Sequence, residues 1–388
     1  MRVEKVRLCD VCDFQGGSQP PKNEWSFEQK DGYIRMLQIR DFTQTRNVEK
    51  EYIKLTSSTK TCVTEDILIA RYGASIGKIL TGLSGAYNVA IMKTIPNEGI
   101  LNKSYLKYYL LSNYFQNGIN SVGARAAQAG FNKEDLSKLY IPVVSLVQQK
   151  LIVDKLNKLT TFIGKRKKQL EKLDELVKSR FVEMFGDPVS NPYGLPVVAL
   201  GELSELITKG ASPSWQGFSY TDDSSQTLFV TSENVREGYI DLSSPKYIED
   251  GFNEKQRRSV IHKGDFLINI VGASIGRAAQ FNLDCKANMN QASALVRIKD
   301  DRVSNKYLLI YLNSEKAQMM YDSMKSDTGR ANLSLQDISN LSILLPPIEQ
   351  QTELERFVEQ TDKSKFEIKQ SLEKLELLKK ALMQKYFG

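Results

Sequence analysis

The sequence predicts an α+β protein. Two similar mixed α/β domains are joined and spaced by two long antiparallel coiled-coil helices, and a pseudo-two-fold axis relates the halves. Residues 149–186 and 351–388 match without a gap at a constant offset of 202, and the pentapeptide GASIG also occurs twice. A chain of 388 residues is long enough to bury two separate cores. We predict domains at 1–145 and 187–347, and long helices at 146–186 and 348–388.

The two repeated segments are predicted to be helical because their apolar residues recur in alternating steps of four and three, as in a coiled-coil seam. The main seam residues are Ile152, Leu156, Leu159, Ile163, Leu170, Leu173 and Val177 in the first copy, and Leu354, Val358, Ile368, Leu372, Leu375 and Leu382 in the second. Seams of equal length favour pairing of the two helices with each other. Packing of each helix on its own domain, or on a partner protein, is the alternative.

The two domains keep the same order of elements while their loops differ. A strand-like segment leads into each GASIG turn, at 65–78 and 263–277, and a second strand follows. Helix-like stretches come next, at 104–119 and 306–324, and prolines then end a final strand. A shared scaffold with different loops is expected when two copies of one fold present different recognition surfaces.

No constellation of catalytic residues is recognisable. GASIGK at 73–78 has three residues rather than four between its glycines, and Ile79 stands where a phosphate loop needs Ser or Thr. We expect its glycines to allow the close approach of a ligand or of a neighbouring segment. Cys9 and Cys12 lack the further ligands of a structural zinc site and are predicted to lie in the core. His262 is the only histidine, so no histidine triad or histidine metal cluster is available. We expect no enzyme and no metal site.

The first predicted domain contains a tyrosine-rich helix with Tyr105, Tyr108, Tyr109 and Tyr114. Stacking on single-stranded nucleic acid is one interpretation of such a set. Helical spacing favours core packing instead.

The composition is that of a globular protein with a moderate basic excess. The net charge is +7 and the pI is about 8.9, which suits a polyanionic partner without requiring one. No apolar run is long enough for a membrane span, and the N-terminus does not resemble a signal peptide. The four cysteines form no disulfide framework. We expect a cytoplasmic protein that does not bind membranes.

The repeated helix, the two GASIG turns and the segments before the helices together resemble the specificity subunit of a Type I restriction–modification system. These segments place Ile141–Pro142 before Gln148–Gln149 and Leu345–Pro347 before Gln350–Gln351. The resemblance covers essentially all 388 residues. The first segment, IPVVSLVQQK, departs from it because it lacks the second proline and the acidic residue of LPPIEQQ.

The resemblance implies that 1–145 and 187–347 are target recognition domains, each recognising one half of a bipartite, asymmetric double-stranded DNA sequence. The helices would set the spacer between the half-sites and dock methyltransferase subunits. The expected partners are modification subunits, which carry S-adenosylmethionine and methylate adenine, and restriction subunits, which translocate and cleave DNA. The chain itself would be non-catalytic and would bind no cofactor.

For DNA contacts, we predict that polar residues in the loops recognise bases while the shared glycines and basic residues hold phosphates. The predicted residues are Ser18, Gln19, Arg35, Gln38, Arg40, Arg71, Tyr72, Ser75, Lys78, Arg125 and Gln128 in the first domain, and Ser212, Ser214, Thr231, Ser232, Asn234, Asn269, Ser274, Arg277, Arg330 and Asn332 in the second. The alternative function is a helical scaffold that recruits partners without sequence-specific DNA contact. A self-sufficient nuclease or methyltransferase is disfavoured by the missing motifs.

Overall fold

The structure is a computed structural model that describes residues 4–44, 48–123, 130–186, 190–324 and 332–388. The chain divides into two compact units, and the first is discontinuous in sequence. Unit 1 comprises residues 1–168 and 369–388, and unit 2 comprises residues 169–368. Each unit therefore contains one globular domain, the part of a long helix that follows that domain, and a part of the other long helix. We call the globular parts domain 1, up to residue 145, and domain 2, from residue 190 to 347.

Domain 1 is built from short strands and helices that lead into a long helix. Its elements are β1 (Glu4–Arg7), α1 (Leu8–Val11), β2 (Cys12–Gly16), β3 (Trp25–Ser26), β4 (Tyr33–Leu37), α2 (Ile39–Thr43), β5 (Glu51–Lys54), β6 (Thr61–Cys62), β7 (Leu68–Ala70), β8 (Ile79–Leu80), β9 (Gly85–Tyr87), β10 (Ile91–Pro96), α3 (Lys103–Leu110), α4 (Asn113–Gly123), α5 (Lys133–Leu136), β11 (Tyr140–Val143) and the first long helix α6 (Leu146–Phe185).

Domain 2 repeats this plan. Its elements are β12 (Val197–Ala199), α7 (Leu200–Leu203), β13 (Ser204–Lys209), α8 (Pro213–Gln216), β14 (Tyr220–Thr221), β15 (Thr227–Val230), β16 (Tyr247–Ile248), α9 (Gly251–Lys255), β17 (Phe266–Asn269), β18 (Ala278–Gln280), β19 (Ala287–Met289), β20 (Ser293–Ile298), α10 (Asn305–Leu312), α11 (Glu315–Met324), α12 (Leu335–Ser339), β21 (Ser342–Leu344) and the second long helix α13 (Ile348–Phe387).

The four-stranded antiparallel sheets of the two domains have the same topology. Their strand order is β2-β10-β7-β8 in the first domain and β13-β20-β17-β18 in the second. Each domain also pairs its first and last strands, β1 with β11 and β12 with β21. A further sheet has five strands in domain 1 and four in domain 2, and it contains one parallel pair in each, β4 with β9 or β15 with β19. The duplicated mixed fold predicted from the repeat is therefore confirmed.

The two long helices run antiparallel to each other within each unit. In unit 1, Lys167 of α6 forms an ion pair of 2.9 Å with Glu376 of α13. In unit 2, Lys365 lies 2.6 Å from Asp174, and Arg180 lies 2.7 Å from Glu353. All thirteen predicted seam residues are buried or partly buried. The predicted antiparallel pairing is confirmed in each unit. The alternative also holds in part, because the first turns of each helix pack on the preceding domain.

A buried glutamine fixes the start of each long helix. Gln149 is fully buried, and its Oε1 accepts a 2.8 Å hydrogen bond from the Asn102 amide. Its Nε2 donates to the carbonyls of Ile100 and Val144, both at 2.8 Å. Gln351 makes the equivalent three bonds in domain 2. One side chain thus joins the helix to the loop before α3 or α10 and to the end of the preceding strand.

The tyrosines of α3 pack in the core, as their spacing predicts. Tyr105 and Tyr109 are buried, and their hydroxyls donate to the carbonyls of Pro142 and Tyr140 at 2.9 and 3.0 Å. Tyr307 and Tyr311 of α10 make the matching bonds to β21. Stacking on single strands is therefore ruled out for Tyr105 and Tyr109. Tyr108 is also buried, and Tyr114 packs against the same core.

Cys12 lies in the core, as predicted, and Cys9 packs partly buried against it. Burial raises the pKa of the Cys12 thiol to about 12, so the thiol stays protonated. Within the described ranges, no group of three or more His, Cys, Asp or Glu side chains is arranged to hold a metal ion.

A buried carboxylate precedes the central strand of each four-stranded sheet. Asp66 is 5% exposed and lies 2.6 Å from the Lys93 ammonium and 3.3 Å from that of Lys103. Burial alone would raise the pKa of Asp66, but hydrogen bonds from Lys93 and the Val63 amide outweigh it and lower the pKa below its usual value of 3.8. Asp265 occupies the same place in domain 2 and is paired with Arg297.

We expect the stability advantage of the wild type over Asp66→Asn to shrink as the pH falls below about 4. The folded-state pKa is lower than the unfolded one. The ionised carboxylate therefore stabilises the fold above the unfolded value of about 3.9, and this contribution is lost as the pH falls through the folded-state pKa. Urea denaturation of both proteins from neutral pH down to about pH 3 measures the difference. A difference that stays constant over this range would contradict the expectation.

Candidate nucleic-acid interface

The loops that follow strands β2 and β7 leave the four-stranded sheet of domain 1 at the same end. Gly16 and Ala70 end these strands and pair with Met92 and Ile91 at the start of β10. In domain 2, Lys209 and Asn269 pair with the start of β20 in the same way. We call this end of each sheet the loop end; it comprises residues 17–24, 71–77 and 88–90 in domain 1, and 210–219, 270–276 and 290–292 in domain 2.

One glycine at each loop end lets two backbone segments come into close contact. A Cβ at Gly17 would lie 2.1 Å from the Asn88 carbonyl oxygen, and a Cβ at Gly210 would lie 1.8 Å from that of Met289. Only hydrogen fits at these distances. The loop after β2 or β13 is thereby held against the loop that enters β10 or β20.

The GASIG segment forms a tight turn at each loop end. Its first glycine, Gly73 or Gly272, has a positive φ of 71° or 77° and open space around the Cβ position. At its last glycine, a Cβ would lie 2.9 Å from Gln116 Oε1 at Gly77 and 2.5 Å from the Tyr321 ring at Gly276. The predicted close approach of a neighbouring segment is therefore confirmed for the last glycine. The neighbour is α4 in domain 1 and α11 in domain 2.

Eight of the 21 predicted DNA-contacting residues lie within the two loop ends, and four others flank them in the sequence or in space; the eight are Ser18, Gln19, Arg71, Tyr72, Ser75, Ser212, Ser214 and Ser274, and the four are Lys78, Ser232, Arg277 and Asn332. The exposed members are Gln19, Tyr72, Lys78, Ser214 and Asn332. The partly exposed members are Ser18, Ser75, Ser212, Ser232, Ser274 and Arg277. Arg125, Gln128 and Arg330 lie outside the described residues. Gly130 and Asn332, which are described, form bridges to Tyr72 and Val271 beside the GASIG turns.

Three predicted cationic or amide side chains of domain 1 are engaged with carboxylates. Arg35 donates to Asp41 at 2.6 Å, and Arg40 donates to Glu51 at 2.6 Å. Gln38 also donates to Glu51. Asp41 is nearly buried, with 3% of its side chain exposed. This network lies beside the loop end because the Asn88 amide donates to the Leu37 carbonyl at 3.2 Å.

Arg71 braces the loop end of domain 1. Its Nε donates to the Phe131 carbonyl at 3.3 Å and its Nη1 to that of Val89 at 3.4 Å. The guanidinium also lies 5.0 Å from the centre of the Tyr72 ring. The side chain therefore joins loops that are distant in sequence, and its charge remains at the loop end.

Asn269 was predicted to contact DNA, and the structure corrects this prediction. It is fully buried, its Nδ2 donates to Ser232 O at 2.9 Å and to Ser274 Oγ at 3.1 Å, and its Oδ1 accepts from Ser293 at 2.8 Å. No surface remains for a base edge. The side chain instead holds the GASIG turn against the strand.

The predicted DNA contacts of Thr231 and Asn234 are wrong for the same reason. Both are buried, and Asn234 Oδ1 accepts from the Thr231 amide at 2.9 Å and from its hydroxyl at 3.0 Å. The Asn234 Nδ2 donates to the Asp241 carbonyl at 3.0 Å. These residues shape the turn after β15.

One framework repeated with two different loop surfaces is the architecture expected of a recognition protein. A solved chain from a study of complex assembly and conformational transition of the type I R-M system has the same fold. Its TM-score is 0.65 at 20% identity, and the alignment covers 100% of this chain and 99% of the other.

Curated relatives point the same way. The Type I restriction enzyme EcoBI specificity subunit of Escherichia coli is 23% identical over 99% of this chain and 85% of its own length. The MjaVIII specificity subunit of Methanocaldococcus jannaschii is 22% identical over 98% of this chain and 91% of its own. The family model of the Type I restriction modification DNA specificity domain matches residues 2–174 and 194–379. The chain belongs to this family and is a non-catalytic DNA-specificity subunit. None of its helices, within the described ranges, has the length and apolar character needed to cross a membrane.

Proposed function

We propose that domains 1 and 2 each recognise one half of a bipartite, asymmetric double-stranded DNA target within a Type I restriction–modification complex. The observation that carries the proposal is the repeated framework with two unlike loop ends. Four-stranded sheets of identical order support both loop ends. The loop after β2 contains a 3-10 turn at Lys22–Glu24, whereas the loop after β13 contains α8 with the exposed residues Ser214 and Trp215. Unlike loops on equal scaffolds favour two different half-sites.

We further infer that the long helices set the spacer between the half-sites. Each has 40 residues and contributes to both units. A helix of this size is about 60 Å long, which exceeds the roughly 34 Å of one B-DNA turn. A spacer of unread base pairs between the half-sites is consistent with that length.

The long helices also present apolar side chains that neither domain covers. Val147 and Leu151 of α6 are 70% and 56% exposed, and Phe366 and Leu377 of α13 are 62% and 68% exposed. Exposed apolar residues in such numbers favour a protein partner. We infer that methyltransferase subunits, which would carry S-adenosylmethionine, dock here, and that restriction subunits join the same cytoplasmic complex.

The test is a map of methylated adenines across the host genome, with and without this gene. We expect one split motif to be methylated only when the gene is present. A methylation map that is unchanged by the deletion, while the reconstituted complex also gives no footprint on any methylated motif, would contradict the proposal. It would then favour a scaffold that recruits partners without DNA contact.

The assignment of one half-site to each domain has its own test. Substitution of exposed loop-end residues in domain 2, such as Ser214→Ala, should change one half of the motif and leave the other half intact. The matched substitution in domain 1 is Gln19→Ala, which should change the opposite half. Simultaneous change of both halves by either variant would overturn the assignment.

A further inference from the structure

Trp215 is the most exposed large apolar residue among those described, with 89% of its surface accessible. It lies in the four-residue helix α8 at the loop end of domain 2. An indole ring displayed to water is unfavourable unless a partner covers it, and tryptophan is enriched where partners bind. The ring therefore marks a contact surface that the residue pattern alone did not indicate.

The segment that carries Trp215 is held rigidly. Pro213 is buried at the first position of α8, and Gly217 ends the helix in the left-handed conformation with φ of 81°. The Lys255 ammonium of α9 donates to the Gln216 carbonyl at 2.9 Å. Phe218 packs edge-on against Phe252 with ring centres 5.6 Å apart. The exposure of Trp215 is thus built into the fold.

The other tryptophan of the chain, Trp25, is the first residue of β3 in domain 1 and is partly buried. Its Nε1 donates to the Pro20 carbonyl at 3.0 Å, and its ring packs against the core that contains Ile53. The Trp25 ring is thereby partly covered. The Trp215 ring is not.

A cation lies beside Trp215, because the Lys255 ammonium donates to the carbonyl of the next residue, Gln216, at 2.9 Å. Lys209 precedes the loop, and Arg257 and Arg258 follow α9; all four cations are exposed. The exposed carboxylates of the same segments are Asp222, Asp223, Glu249 and Glu254. The cation placed beside the indole ring favours an anionic partner at this point of the loop end. Gly210 also joins this surface to the loop end through its contact with Met289.

We propose that Trp215 is a DNA-contacting residue whose ring packs against the deoxyribose and base edges of the half-site bound by domain 2, with Arg257 and Arg258 on the flanking phosphates. This inference rests on the proposed function. Apolar side chains in the minor groove contact sugars and base steps, while arginines nearby neutralise phosphates. Trp215 would then give domain 2 a contact that domain 1 lacks.

The first test is hydroxyl-radical oxidation of the complex with its methyltransferase subunits, read by peptide mass spectrometry. We expect Trp215 to be oxidised readily in the complex alone and to be protected by a duplex that carries the methylated motif. Trp25 serves as the internal control and should change little. Protection by the methyltransferase subunits without DNA would overturn the inference, as would oxidation unaffected by the duplex.

The second test compares affinities. Trp215→Ala should weaken binding of the motif duplex by about tenfold or more, as expected for loss of an aromatic contact to nucleic acid. Trp215→Phe should recover part of that loss. Arg258→Ala should lower the slope of log Kd against log salt by about one phosphate contact. The matched control is Tyr193→Ala, another exposed aromatic, 61% accessible, in the segment between α6 and β12.

The two failures are distinguishable. If the wild-type complex binds no duplex with the methylated motif, the proposed function fails. If the wild type binds and the Trp215→Ala complex has the same affinity within twofold, only the role of Trp215 fails. Equal thermal stability of the wild type and Trp215→Ala would show that the exposed ring adds nothing to folding.

Discussion

Replacing Phe387 with alanine is expected to lower the free energy of unfolding by about 3–5 kcal/mol, the usual cost of removing a buried phenylalanine ring. Phe387 is the last helical residue of α13 and is only 1% exposed. Its ring lies 5.0 Å from that of Tyr105 and 6.3 Å from that of Tyr109. The end of α13 is thus inserted into the core of domain 1.

Unit 2 has the same arrangement at the end of α6. Phe185, the last helical residue of α6, is fully buried and lies 5.3 Å from Tyr307 of domain 2. Phe185→Ala should therefore cost a similar amount. Each long helix begins on one domain and ends in the core of the other. Loss of either ring would weaken the packing of one long-helix end against the domain in its unit.

Urea denaturation of the two variants measures the effect. The matched control is Leu378→Ala, an apolar residue of α13 that is 48% exposed and whose loss should cost far less. Equal losses for Phe387→Ala and Leu378→Ala would contradict the anchoring role. A second measurement is hydrogen exchange of the last turns of α13, which should accelerate in Phe387→Ala alone.

The repeat allowed the architecture to be predicted from the sequence. The contacts of Phe387, near the end of the second copy, could not be predicted in this way. The seam residues could be identified because a period of three and four is a local property of the sequence. Phe387 and Tyr105 are far apart along the chain, and no local pattern connects them. The phenylalanine–glycine pair that ends both repeats was the only available signal.

Polar residues at strand ends were the least predictable part of the site. Asn269 follows apolar strand residues and precedes a glycine turn, a context that suggests exposure. Its burial depends on Ser232, in the turn after β15, and on Ser293 of β20. The same limit applies to Trp25 and Trp215, because the residue type is identical and only tertiary packing decides which ring is covered.

Ion pairs also reduce the free positive charge that the predicted DNA-contacting residues of domain 1 present. Arg35 and Arg40 were predicted as DNA contacts among the polar and basic residues of a shared scaffold with different loops. The structure pairs them with Asp41 and Glu51, which come from α2 and β5. An arginine held by a carboxylate is oriented, and its fixed donors then favour directional contacts over loose phosphate binding. The sequence could not show this because the pairing needs the sheet register.

Gln351→Leu should destabilise the protein by about 3 kcal/mol or more, because it leaves three buried backbone groups without partners. The Ser304 amide would lose its acceptor, and the carbonyls of Arg302 and Pro346 would lose their donor, all now bonded at 2.8 Å. Leucine fits the volume of glutamine and supplies no hydrogen bond. The loss of stability would therefore come from unpaired hydrogen-bonding groups and not from a cavity.

The neighbouring residue provides the matched control for this variant. Gln350 is exposed, and Gln350→Leu should change the unfolding free energy by less than about 0.5 kcal/mol. Gln149→Leu should repeat the large effect in domain 1, since the Asn102 amide and the carbonyls of Ile100 and Val144 depend on it. If Gln351→Leu and Gln350→Leu had equal unfolding free energies, the glutamine would not fix the helix. Motif methylation can be measured in the same two variants. Its loss in Gln351→Leu but not in Gln350→Leu would indicate that the direction in which α13 leaves domain 2 matters for target recognition.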